Sequence, residues 1–128
     1  MKLLLDTCTF LWAAGKPGEL SPSAREAIED GNNELVLSQA SAWEIQIKQQ
    51  SGKLRLLGSP RAIVEEGLRL HGIAYQMIED DFIWHLDKLP DHHRDPFDRL
   101  LIASALCGGM KIVSPDRQIH RYPVPVIW

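Results

Sequence analysis

Along the 128 residues, hydrophobic and polar positions follow two alternating patterns. Short unbroken apolar runs at Lys2 to Leu5, Leu35 to Leu37 and Ile112 to Val113 are each closed by a polar residue, as expected of strands buried on both faces of a sheet. Helical patterns lie between them. Ser21-Pro22 opens SPSAREAIEDG with an N-cap, a first-turn proline and a closing glycine, and Ser41 to Gln50, Pro60 to His71 and Pro96 to Leu106 also read as helices. This alternation predicts an α/β fold, a parallel sheet joined by right-handed crossovers with helices on both faces, that is, a three-layer α/β/α sandwich. In the C-terminal YPVPVIW, Pro123 and Pro125 stand two apart, so both missing amides face one side of a strand, which suits a sheet edge.

Length and composition narrow this picture. The chain suits one domain, residues 1–128, and GKLRLLGSP at 52–60 is too short and apolar for an interdomain linker. No apolar run reaches the roughly 18 residues of a membrane span. The N-terminal MKLLLDTCTF meets an acid after three leucines, too soon for a signal peptide, so a cytoplasmic protein is expected. Cys8 and Cys107 have no CxxC partner; both are expected reduced and half-buried, with neither a zinc site nor a disulfide. The net charge of −3 argues against a protein that coats nucleic acid through a broad basic surface, although Lys48, Lys53, Arg94, Arg99, Arg117 and Arg121 remain to meet phosphates locally.

The candidate chemistry lies in the acids. In an open parallel sheet, reactive groups collect at the carboxyl ends of the strands. Asp6 follows the first strand, Glu44 lies one turn into the helix after ELVLS, Asp95 and Asp98 open the helix of HHRDPFDRLLIASAL, and Asp116 follows KIVS. Each also has a purely local explanation. Asp6 and Asp95 suit N-caps, Glu44 can close a Ser41-Ala-Trp-Glu capping box or pair with Lys48, and Asp116 can answer a helix dipole. Asp98 is the exception, because it falls in line with Leu101, Ile102 and Ala105 on a stripe that reads as buried, and no cation on its own helix is placed to meet it.

Crowded carboxylates repel one another, and Mg2+ or Mn2+ relieves that repulsion with an all-oxygen site. The reaction such a site serves best is phosphodiester hydrolysis by a metal-activated water. DTCTF departs from the aspartyl phosphatase pattern at Cys8 and Phe10, and no P-loop, GxSxG elbow or HExxH helix occurs. The adjacent His92 and His93 could approach substrate or metal but read first as solvated loop residues, and Trp12, Trp43, Trp84 and Trp128 read as core or dimer-contact residues rather than base-stacking platforms. Two rivals remain: a non-catalytic module that binds RNA or protein, and a metal-dependent phosphatase or DNase.

LLLDTCTFLW, SAWEIQIK, HHRDPFDRLLIASAL and VSPDRQIHRY, in this order over nearly the whole chain, resemble the PIN-domain ribonucleases and in particular the VapC-type toxins of bacterial toxin–antitoxin pairs. The resemblance implies a five-stranded parallel sheet, metal-binding acids at Asp6, Glu44, Asp98 and Asp116, and an auxiliary or capping role for Asp95. It also implies a water-ordering role for Ser114. Arg99 and Arg117, cations beside Asp98 and Asp116 in the chain, are the expected phosphate contacts. The expected activity is a Mg2+- or Mn2+-dependent endoribonuclease that acts as a homodimer and is neutralised by an antitoxin reaching across the acidic pocket. Cys8 departs from the His, Asn or Ser of many relatives.

Overall fold

The computed structural model describes residues 1–128. Five strands, β1 (Lys2–Leu5), β2 (Glu34–Ser38), β3 (Ala74–Gln76), β4 (Lys111–Val113) and β5 (Val126–Ile127), form one sheet in the order β3-β2-β1-β4-β5, every pair parallel. The helices are α1 (Thr7–Gly15), α2 (Pro22–Glu29), α3 (Gln39–Gln50), α4 (Pro60–His71), α5 (Asp80–His85) and α6 (Pro96–Gly108).

The period-2 geometry of the strands explains the three layers. Leu3, Leu5, Leu35 and Leu37 point to one face and pack with Phe10, Ala24, Ile45 and Val64 of α1 to α4. Leu4, Val36 and Ile112 point to the other and meet Phe82 of α5 and Leu101, Ile102 and Ala105 of α6. The apolar runs are thus buried on both sides, as a parallel sheet requires. β5 is an edge strand, as the C-terminal prolines suggest, but it is short and begins only after Pro125. No helix is long and apolar enough to cross a membrane.

Two glycines shape the fold near the acids. Gly109 ends α6 in the left-handed conformation at φ 64° and turns the chain into β4. Gly67 lets α4 lie against α1, because a Cβ there would stand 2.6 Å from Cζ of the fully buried Phe10. Gly67→Ala should gain about 1 kcal/mol of helix propensity and lose about 1–3 to overpacking. A net loss on the order of 1 kcal/mol is expected, measurable as a lower urea midpoint with an unchanged slope.

Some local expectations need correction. α3 begins at Gln39 with Ser38 as its N-cap, so the Ser41-to-Glu44 capping box is not formed; both residues lie inside the helix. Cys107 is exposed rather than half-buried, while Cys8 is partly buried. Trp43 is 55% and Trp84 70% exposed, whereas Trp12 and Trp128 pack together with ring centroids 5.8 Å apart.

Candidate functional site

The sheet order reverses direction between β1 and β4, and there the carboxyl ends of two neighbouring strands open a crevice. Asp6 leaves β1 and Ser114 leaves β4 side by side, with the Asp6 amide donating to Val113 O at 3.2 Å. Asp6 caps α1, its Oδ1 accepting from the Thr9 amide at 2.8 Å, while its Oδ2 accepts a short hydrogen bond from Ser114 Oγ. Ser114 Oγ in turn accepts from the Asp116 amide at 3.0 Å. One hydroxyl therefore ties two acids together across 110 residues of chain.

From the other side, α6 presents its N-terminus to the same crevice. Asp95 is its N-cap, accepting from the amides of Phe97 at 2.8 Å and Asp98 at 3.1 Å. Capping leaves Asp98 one turn into the helix, where its carboxylate meets His93 Nε2 at 3.0 Å. The same Nε2 is 2.9 Å from Asp116 Oδ2, so the imidazole bridges the two acids. Ligand atoms of His93, Asp98 and Asp116 all lie within 4.8 Å of one another.

Glu44 reaches the region from α3 and is 3% exposed. Thr7 Oγ1 donates to its Oε1 at 2.5 Å and lies 3.0 Å from Ser41 Oγ, and Lys48 pairs with its Oε2 one turn along the helix. The expected Glu44–Lys48 pair thus exists together with Glu44's place beside the cluster.

The electrostatics record this crowding. Burial, joined by the negative charges of Asp95, Glu44 and Asp6 and opposed by His93, pushes the Asp98 carboxyl up to about 7. Burial also raises Asp6, against hydrogen bonds from Ser114 and Thr9 that hold it down. The Cys8 thiol, 3.5 Å from Asp6 Oδ1, is pushed up by burial and by the charge of Asp6, so it stays protonated and donates to the acid. On Lys48 burial opposes the charge, but the hydrogen bond and charge of Glu44 outweigh it.

Asp6, Asp98 and Asp116 are thus brought together through Ser114 and His93, with Glu44 close enough for its charge to act on Asp98. Arg117 is exposed, next to Asp116. Arg99 is engaged elsewhere: it donates to the carbonyls of Pro90 and Leu86, each at 3.0 Å, and to Tyr122 Oη at 3.2 Å. Sequence reasoning missed Thr7 and Tyr122, and its preference for a solvated His93 is corrected: that side chain is 14% exposed and bridges two acids. Each of these three residues stands inside a block that carries the family resemblance, His93 in HHRDPFD, Thr7 in LLLDTCTFLW and Tyr122 at the end of VSPDRQIHRY, and that is the one signal that could have singled them out.

The donor set suits a small divalent cation. It is rich in carboxylate oxygen, two of its acids share one imidazole nitrogen, and Asp98 is buried among the charges of Asp95, Glu44 and Asp6 with His93 opposing them.

A family model described as PIN domain matches residues 3–125. Ribonuclease VapC22 of Mycobacterium tuberculosis (strain ATCC 25618 / H37Rv) is 29% identical over 133 residues, which cover 98% of each chain. Among solved structures, VapBC2 from Rickettsia felis bound to a DNA fragment from their promoter contains a similar chain. It has TM-score 0.74 at 15% identity, covering 98% of this chain and 97% of that one. FitAcB from Neisseria gonorrhoeae is similar with TM-score 0.60 at 17% identity, over 97% of this chain and 95% of that one. At these identities the structural likeness is one of fold.

Proposed function

The chain belongs to the PIN domain family, and from that premise we propose that it is a Mg2+- or Mn2+-dependent endoribonuclease, a VapC-type toxin restrained by a cognate antitoxin. The observation that carries this reading is the gathering of acids from β1, α6 and the end of β4 at one crevice, with the Asp98 carboxyl held up to about 7. The relative called Ribonuclease VapC22, similar over 98% of the chain, supports RNA as the substrate. The fold shared with a chain of VapBC2 supports the antitoxin partner.

In this reading residues 1–128 form one catalytic PIN domain working on RNA in the cytoplasm. Asp98 and Asp116 hold the cation through their oxygens. Asp6 and Glu44, whose oxygens are already engaged by Thr9, Ser114, Thr7 and Lys48, hold its waters. The chemistry a bound cation supplies is activation of water and neutralisation of charge growing on the phosphoryl oxygens. Ser114 keeps Asp6 and Asp116 in register, and Asp95 keeps Asp98 in place by capping α6. The exposed Arg94 and Arg117 flank the acids and meet the RNA backbone. Arg99, the other expected phosphate contact, serves here by fixing the loop that carries His93. The exposed Trp43, Ile47, Ile83 and Trp84 of α3 and α5 support a homodimer.

The test is to incubate antitoxin-free protein with total cellular RNA, with and without Mg2+ or Mn2+, and to map new 5′ ends. Discrete metal-dependent cuts are expected, with DNA and phosphomonoesters left intact. Folded protein that makes no cuts would return the acids to capping duty and the chain to a binding module.

A further inference from the structure

Resting on the reading of Asp98 and Asp116 as cation-binding residues, we propose that His93 is a proton-donating placeholder rather than a third ligand. It cross-links the two carboxylates when no cation is bound and is displaced when one arrives. The ring position alone, with Nε2 at 3.0 Å from Asp98 and 2.9 Å from Asp116, would suit either role. The other ring nitrogen decides between them.

His93 Nδ1 accepts a hydrogen bond from the Asp95 amide at 3.2 Å. A neutral imidazole carries one N–H, so with Nδ1 accepting, the proton sits on Nε2 and points at the carboxylates. A ligating Nε2 needs the opposite tautomer, with Nδ1–H donating to a carbonyl or carboxylate. Here that N–H would face another N–H.

The main chain around the ring is held against a compensating shift. The amides of His92 and His93 both donate to the Tyr122 hydroxyl, at 3.1 and 2.8 Å, and Tyr122 is buried. Arg99 binds the same hydroxyl and anchors the loop at Leu86 and Pro90. On the far side Asp95 is fixed as the cap of α6. With the main chain held, the displacement proposed is a rotation of the His93 side chain, which takes its N–H off the two carboxylates and opens them to a cation. Tyr122 and Arg99 position the loop that carries the imidazole, and the Asp95 amide sets its donor tautomer.

A placeholder and a ligand predict opposite signs for metal affinity. Mn2+ titrations of wild type, His93→Ala and His93→Gln, read as free Mn2+ by electron paramagnetic resonance, should give His93→Ala the tightest binding. A gain of about tenfold corresponds to not breaking a charge-assisted hydrogen bond. His93→Gln, which keeps an amide donor, should fall between. In wild type, long-range 1H–15N spectra should show the His93 proton on Nε2 before Mg2+ is added and no Nδ1–H form at saturation; this readout needs no variant. Weaker Mn2+ binding by His93→Ala, or an Nδ1–H imidazole in the Mg2+-loaded protein, overturns the placeholder while leaving the metal centre standing. Wild type that binds no Mn2+ at millimolar concentration overturns both.

Discussion

Asp98→Asn is expected to abolish metal-dependent cleavage while making the metal-free protein more stable, an unusual pairing for a change at a half-buried position. Asp98 keeps its proton in the folded state up to about pH 7 but releases it near 3.8 when unfolded. Between those values the folded state binds more protons, so the stability of the wild type falls as pH rises through that window and levels off above it. Asparagine does not titrate, and its carbonyl oxygen still accepts from His93. The advantage of the variant should therefore be small near pH 4, grow towards pH 7 and reach on the order of 4 kcal/mol at pH 8. Urea denaturation of both proteins at pH 5 and pH 8, with chelator present, checks this. Added Mg2+ should stabilise the wild type by linkage and leave the variant unmoved. An apo variant less stable at pH 8 would mean that Asp98 is a structural partner of His93 first and part of a metal site second.

How much of this was legible beforehand depended on whether a feature is local or spatial. Strands β1, β2 and β4 announce themselves because burial on both faces leaves polar residues only at their ends, at Lys2, Glu34, Ser38 and Lys111. The helix pattern of Pro60 to His71 matches the bounds of α4, marked by Pro60 in the first turn and Gly72 as a left-handed C-cap. By contrast β3 exposes two of its three residues, and α5 has only six, too few for a period to show. The capping roles of Asp6 and Asp95 were legible for the same local reason. They did not compete with a place in the crevice, because a carboxylate has two oxygens and Asp6 uses one for Thr9 and the other for Ser114.

The sequence could not reveal who neutralises whom. Asp98 has no partner at helical spacing, and the one it finds is on no helix. It is His93, in the loop before α6, held there by Tyr122 from 29 residues further along the chain. Thr7 read only as the start of a helix, yet it joins α1 to Glu44 of α3. Such contacts join residues far apart in the chain, and no periodicity encodes them.

Ser114→Ala should show the opposite sign to Asp98→Asn at the same edge of the sheet. Ser114 is fully buried, and its hydroxyl both donates to Asp6 and accepts from the Asp116 amide. Alanine fills nearly the same space but leaves Asp6, 4% exposed, with one donor fewer on Oδ2. Losing a hydrogen bond to a buried charge costs about 1.5–3 kcal/mol, and the freed Asp116 amide adds to it. The pH dependence follows from Asp6, which burial already raises and the Ser114 hydrogen bond holds down. Without that bond the folded-state pKa of Asp6 rises further, so the penalty is greatest where the carboxylate is ionised and shrinks as acid protonates it. Thermal melts across pH 4 to 8 should therefore show the variant converging on the wild type at low pH. Ser114→Thr, which keeps the hydroxyl, should recover the pH-dependent part even if its extra methyl costs packing. A uniform loss at every pH would instead mean that Ser114 matters for packing alone and that Asp6 is ordered by Thr9 without it.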